Sequence, residues 1–296
     1  MKRVLVTGAS GFIGKHTLPH LAAAGYEVHP VSSREADLLN ERDRRDLIAR
    51  IRPTHLLHLA WHVLPGKYWT SLENVRWLQA SLDLITAFAA EGGRRIVTAG
   101  TCAEYSWENA GICHEDTTPL DPASLYGASK DALRRMQESL ARQLNLSAAW
   151  GRIFFPYGPG EPAERLVPSV IRSILNGQPA RCSHGRQVRD FMYVDDVARA
   201  FTALLDSSYT GAMNIGTGEP VTIAEIAQSA ARAAGAPELL ELGALPARAG
   251  EPDVLLADTT QLRAIGFTPR WTPDDTMAAT VTWWRSQLQA EWGHCL

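Results

Sequence analysis

The run Val4-Leu5-Val6-Thr7 passes directly into Gly8-Ala-Ser-Gly11-Phe-Ile-Gly14 and then into a helical pattern that continues through Leu21. A short apolar strand, a glycine turn and a helix, in that order, is the opening unit of a wound α/β sheet. The spacing is G-x-x-G-x-x-G, a departure from the commoner G-x-G-x-x-G. Glycines at these places let the backbone turn sharply and approach a pyrophosphate, whose charge is attracted by the free N–H groups of the helix start. The chain then repeats the alternation. Strands are expected at Arg3–Thr7, Glu27–Val31, His55–Leu59, Arg95–Ala99 and Ala148–Arg152, separated by amphipathic helical segments. That pattern predicts an α/β fold, a doubly wound parallel sheet covered on both faces. Ligands of such sheets sit beyond the carboxyl ends of the strands. Gly8 to Gly14, Ser32 to Arg34, Ala60 to His62, and Thr101 all follow strand ends.

Within a later helical pattern stands Leu125-Tyr126-Gly-Ala-Ser-Lys130. Side chains at i and i+4 share a helix face, with Cβ atoms roughly 5–6 Å apart. An ammonium there is expected to favour the phenolate and pull Tyr126 down from its ordinary value near ~10, toward the range where a general acid or base works best. By itself the pair also fits a solvated Lys beside a packed Tyr.

Composition narrows the partners. A net charge of −3 over 296 residues offers no basic footprint for a nucleic acid. Cys102, Cys113, Cys182 and Cys295 show neither C-x-x-C nor metal-like spacing, which fits a reducing compartment and no metal centre. The apolar patch after Lys2-Arg3 reaches only from Val4 to Val6, too short for a signal-peptide core, and no stretch is long enough to span a membrane. A cytoplasmic protein is expected. No internal repeat or low-complexity tract is present.

The two motifs, with Arg152-Ile-Phe-Phe-Pro-Tyr-Gly-Pro159 and Arg189-Asp-Phe-Met-Tyr-Val-Asp-Asp196, resemble the extended short-chain dehydrogenase/reductase family, the NAD(P)-dependent epimerase/dehydratase enzymes that modify nucleotide sugars. The resemblance runs over nearly the whole chain. It implies a Rossmann-type dinucleotide-binding domain over residues 1–165, with 190–215 returning to it, and a smaller α/β substrate lobe from 166–189 and 216–296. Pro156, Gly158, Pro159, Gly160 and Pro162 mark the crossing between them.

The resemblance also assigns residues. Cofactor contacts are expected from Gly8, Ser10, Gly11, Phe12, Ile13 and Gly14, from Asp37 and Leu38 at the adenine, from Leu59, Ala60 and Trp61, and from Asn74 and Phe154. Tyr126 and Lys130 would lie at the nicotinamide ribose. His58, a strand-end histidine, is given no catalytic role. At the end of the second strand, Val31-Ser32-Ser33-Arg34 carries no acid where one would bind the ribose 2′-hydroxyl. Two hydroxyls and a guanidinium suit a 2′-phosphate, so NADP(H) is expected ahead of NAD(H). The alternative is that Arg34 only solvates the loop and Glu35 contacts the ribose.

In the same resemblance Thr101 orients the reacting oxygen, Tyr126 transfers the proton and Lys130 supports it. Sugar 4,6-dehydratases carry Asp-Glu directly after that Thr, and related decarboxylases a Glu at the second position. Here the pair is Cys102-Ala103. Glu104, one place further, is expected to serve structure or the substrate rim. What remains is an NADPH-dependent reductase of a nucleotide-diphosphate 4-keto-6-deoxy sugar. A 4-epimerase holding NAD, or a dinucleotide-binding protein without turnover, is the alternative. Arg189 and Arg248 match positions that contact the substrate pyrophosphate, while Cys102 and His62 fall at the sugar. Phe155 stands where the family often has a phosphate-binding Asn, which leaves a non-nucleotide carbonyl substrate open. Tyr68 and Trp69 are expected to pack. A homodimer is a family expectation.

Overall fold

The computed structural model describes residues 2–108, 110–247 and 250–293. Its first part runs β1 (Arg3–Thr7), α1 (Phe12–Ala23), β2 (Glu27–Val31), α2 (Glu41–Ile51), β3 (His55–His58), α3 (Glu73–Ala90) and β4 (Arg95–Thr101). The short β5 (Ile112–Cys113) precedes the long helix α4 (Leu125–Leu144), followed by β6 (Ser147–Ile153) and β7 (Phe155–Tyr157). Then come α5 (Leu166–Leu175), β8 (Ala180–Arg181), β9 (Val188–Arg189), β10 (Phe191–Tyr193), α6 (Val194–Asp206) and β11 (Gly211–Ile215). The chain closes with β12 (Val221–Thr222), α7 (Ile223–Ala234), β13 (Leu240–Glu241), β14 (Val254–Ala257), α8 (Thr260–Ala264) and α9 (Pro273–Gly293).

Six strands form one sheet in the order β11-β6-β4-β3-β1-β2, every neighbour parallel. The chain winds outward from β1 in both directions, so strand order reverses between β1 and β3, where wound sheets open a crevice. Side chains alternate across the sheet as the period of two requires. Val4, Val6, Leu57, Val97 and Ile215 pack with Leu21 of α1 and Phe201 and Leu204 of α6. Leu5, Leu56, Ile96 and Trp150 pack on the opposite face with Ile48 of α2, Leu84 and Phe88 of α3 and Leu133 of α4. Each such side chain contributes about 1.5–3 kcal/mol by leaving water. A separate core joins α5, α7 and α9 through Val170, Ile171, Ile226, Ala230, Met277, Val281 and Trp284.

Local chemistry sets the helix ends. Asn40 caps α2 by accepting from the N–H groups of Arg42 and Asp43, and Ser124 caps α4 by accepting from Gly127. Asn145 ends α4 in the left-handed conformation, φ 54°, which Asn tolerates better than most residues. The sequence Asn145-Leu-Ser147 is thus a helix stop leading into β6. Among the described residues no helix is long and apolar enough to cross a membrane. Cys102, Cys113 and Cys182 are buried and unbridged, and Cys295 lies outside the described residues.

Candidate active site

The loop after β1 sits at the reversal of strand order. Gly8 has φ +69°, and a Cβ on it would come 2.8 Å from the Ala60 nitrogen. A Cβ on Gly14 would lie 2.2 Å from the Gly8 carbonyl oxygen, so α1 can start this close to the turn only with glycine there. The Gly11 N–H donates to the Gly8 oxygen at 2.9 Å, closing the turn, while Ser10 and Gly11 stay exposed. Phe12 and Ile13 open α1, whose start has Gly11 as cap and no side-chain acceptor for its first N–H groups. A cradle of backbone donors that no Cβ or capping side chain fills is what a dinucleotide pyrophosphate requires.

Beneath the cradle lies a polar chain with one proton order. Ser81 donates to the Trp77 carbonyl at 2.7 Å, so it accepts from His58 Nε2 at 2.9 Å. His58 Nδ1 then accepts from the Thr7 hydroxyl at 2.7 Å, and Thr7 accepts from the Ala60 N–H at 3.3 Å. Burial, aided by repulsion from Lys130, holds His58 down at about 3, so it is neutral. His58 ties the ends of β1 and β3 to α3 and fixes the segment Leu59-Ala60 on which Gly8 rests.

At the end of β2, Ser33 and Arg34 are exposed. The Glu35 carboxylate folds back to accept from the Ser32 N–H at 2.9 Å and its hydroxyl at 3.2 Å. A cation and an anion therefore both stand where a ribose 2′-substituent would be recognised. Asp37 is exposed and accepts from the Leu39 N–H at 2.9 Å, whereas the Leu38 side chain is in the core. Arg44, which sequence reasoning passed over, is 4% exposed and supports this turn. It donates to the Leu38 carbonyl at 2.6 Å and to Asp83 at 2.7 Å.

Thr101 ends β4 and Tyr126 stands in the first turn of α4. The Thr101 hydroxyl, which accepts from the Ala103 N–H at 3.2 Å, lies near the phenol, and the Tyr126 N–H donates to the Trp69 carbonyl at 3.1 Å. The expectation that Lys130 would pull the phenol down is corrected. Burial pushes Tyr126 up, with repulsion from Tyr68 adding to it and the nearby Thr101 hydroxyl opposing it. Burial also depresses Lys130 to about 7, with Glu104 opposing the shift. The ammonium lies over aromatic rings: Nζ is 4.1 Å from the Trp61 ring centroid and 5.2 Å from that of Trp150. Tyr68 and Trp69 stack at 4.7 Å, and both stand edge-on to Tyr126, at 4.9 and 5.8 Å. They pack, as expected, but against the phenol itself.

Asn74 is fully buried, and its amide is saturated within the protein, donating to the Tyr68 and Ser71 carbonyls and accepting from Trp61 Nε1 at 2.9 Å. Within the protein it supports Trp61. Phe154 lies in the core with Cys102, Tyr105 and Cys113. His62 is half-buried on the loop between β3 and α3.

Behind Thr101, Glu104 is buried and accepts from the Thr101 N–H at 2.9 Å, from Trp150 Nε1 at 2.9 Å and from Arg152 Nε at 2.8 Å. This ion pair is 1% and 0% exposed. It removes Glu104 from the substrate rim and fixes the end of β4. Cys102 is buried, and burial pushes its thiol up, so it presents no acid to the cleft. Arg189 is engaged within the protein. It is 3% exposed, and its guanidinium donates to the Val188 and Pro252 carbonyls and to Glu251, beside the Phe155 ring. Arg248 lies outside the described residues.

Residues 4–216 match the model of the NAD dependent epimerase/dehydratase family. The chain is 30% identical to a GDP-6-deoxy-D-mannose reductase of Pseudomonas aeruginosa, over 98% of this chain and 99% of the reductase. It is 25% identical to a CDP-abequose synthase of Salmonella typhimurium, over 90% and 93% of the two chains. Among solved structures, a UDP-glucose 4-epimerase of Thermus thermophilus in complex with NAD superposes with a TM-score of 0.83 at 27% identity, over 96% of this chain and 99% of that one.

Proposed function

The chain belongs to the NAD-dependent epimerase/dehydratase family, and on that premise we propose that it is a reductase of a nucleotide-diphosphate 4-keto-6-deoxy sugar, with NADPH ahead of NADH. The carrying observation is the Thr101–Tyr126 pair: a phenol that burial keeps protonated, near the Thr101 hydroxyl, with buried Cys102 and Ala103 following that threonine. A protonated phenol is set to donate to a carbonyl oxygen, the direction a reduction needs. Expulsion of a hydroxyl would call for a second acid, and Glu104 is committed to Arg152 and Trp150.

When bound, the dinucleotide supplies the hydride. The glycine loop and the start of α1 would hold its pyrophosphate, and Lys130 its nicotinamide ribose. Thr101 orients the carbonyl oxygen and Tyr126 gives it a proton. The lobe of 166–189 and 216–296 takes the nucleotide, with Arg248 as its cation and Arg189 holding the Glu251–Pro252 turn. The reductase relative at 30% identity supports this reading. A second reading, an epimerase retaining NAD, is favoured by the Glu35 carboxylate at the end of β2, which suits a free ribose hydroxyl.

Incubation with NADPH and a panel of nucleotide-linked 4-keto-6-deoxy sugars separates the readings. Reduced cofactor should disappear in step with product, and Tyr126→Phe should lower the rate by about 10²–10⁴. Interconversion of two isomers with no net cofactor consumption would replace the reductase by the epimerase.

A further inference from the structure

We propose that Trp61 is a positioning residue for Lys130, its indole face holding the ammonium where the nicotinamide ribose would be gripped; this rests on the cofactor reading above. Lys130 is 3% exposed, yet among the described residues no carboxylate pairs with it. A buried ammonium without a counter-ion needs another source of negative potential. Two indoles provide it, at 4.1 Å for Trp61 and 5.2 Å for Trp150, both within the ~6 Å over which a ring face attracts a cation. Trp150 is a core residue whose Nε1 is bound to Glu104. Trp61 is partly exposed, on the loop that follows β3 at the crevice.

The orientation of Trp61 is itself determined. Its Nε1 donates to Asn74 Oδ1 at 2.9 Å, and its ring leans on Trp77 at 6.2 Å. Asn74 is locked by the Tyr68 and Ser71 carbonyls. A chain of support thus runs from the 68–71 turn through Asn74 and Trp61 to Lys130. Other ionisable groups facing the ammonium are Glu104 behind β4, which favours its charge, and neutral His58 from β3. Tyr126 on the same helix is kept protonated. Since burial brings Lys130 down to about 7, its charge is near balance at neutral pH, and loss of the indole face tips it toward the free amine.

The test is calorimetric binding of NADPH and of NADH from pH 6 to 9 to the wild type, Trp61→Leu, Trp61→Phe and Lys130→Met, with thermal unfolding alongside. Trp61→Leu should weaken both dinucleotides about tenfold at pH 8, equivalent to about 1.4 kcal/mol. It should also bring the alkaline loss of binding to lower pH by about one unit. Trp61→Phe, which keeps an aromatic face, should restore most of both. A merely structural role would lower the melting temperature and leave that pH unmoved. Wild-type affinity and the same pH midpoint in Trp61→Leu would overturn the inference while Lys130→Met is weakened. Should Lys130→Met bind both dinucleotides like the wild type, the cofactor reading falls with it.

Discussion

Glu161, on the crossing between β7 and α5, is 5% exposed, and its Oε2 has no hydrogen-bond partner among the described residues. Burial pushes its carboxyl up to about 8, against the opposing pull of Arg165, 3.7 Å away. The sign follows directly. Below its ordinary value of 4.5 the group is neutral folded and unfolded; above it the unfolded chain ionises while the folded protein does not. Stability therefore declines as pH rises from 4.5 toward about 8 and then levels off. At about 1.36 kcal/mol per pH unit the whole window is worth roughly 5 kcal/mol, of which about 3 falls between pH 5 and 7.5. Glu161→Gln keeps the shape and carries no charge in either state, so it lacks this slope. Urea unfolding of both proteins at pH 5 and pH 7.5 isolates the group, because every other titration cancels in the comparison. The variant should gain about 3 kcal/mol on the wild type over that interval, or about 6 °C in melting temperature for a chain of this size. Parallel stability curves for the two proteins would refute the assignment of a neutral, buried carboxyl.

Glu104→Gln leaves the Arg152 guanidinium buried without its counter-ion and should cost about 3–5 kcal/mol in urea unfolding; a loss below about 1 kcal/mol would mean that the pair is not the clamp described here. Gly14→Ala places a Cβ 2.2 Å from the Gly8 carbonyl and should weaken dinucleotide binding at least about tenfold by calorimetry, equivalent to about 1.4 kcal/mol; unchanged binding would remove this loop as the pyrophosphate seat. Arg34→Ala should raise KM for NADPH well above any change for NADH. Equal effects would defeat the 2′-phosphate assignment, and a selective loss of NADH affinity in Glu35→Gln would favour the ribose hydroxyl.

The sheet was legible because its strands are short, near-continuous apolar runs buried on both faces, and because glycine spacing has local causes. The expected strands at 3–7, 27–31 and 95–99 fall within β1, β2 and β4. The two-residue strands β5, β8, β9, β12 and β13 carry no such signal, since pairing partners distant in sequence create them. Buried arginines were equally silent. Arg95 looks like a solvated residue, yet it donates to the Leu204, Leu205 and Tyr209 carbonyls at the end of α6, more than a hundred residues away. In the site, Tyr126 and Lys130 could be named from spacing and Thr101 from the resemblance, whereas the direction of the Tyr126 shift could not. It depends on how much protein surrounds the phenol, which the i, i+4 relation does not report. Arg189 and Asn74 were assigned by resemblance, and their contacts within this protein, to Glu251 and Pro252 and to Trp61, Tyr68 and Ser71, come from residues whose proximity the sequence does not signal.

The clamp behind β4 also bears on how such a scaffold can diversify. Glu104 grips the Thr101 backbone, Trp150 and Arg152 without using the side chain of residue 102 or 103. Both positions are buried, Cys102 among Tyr105, Cys113 and Phe154, so a charged side chain at either one must bring its own partner, while the anchorage of the strand end makes no demand on what stands there.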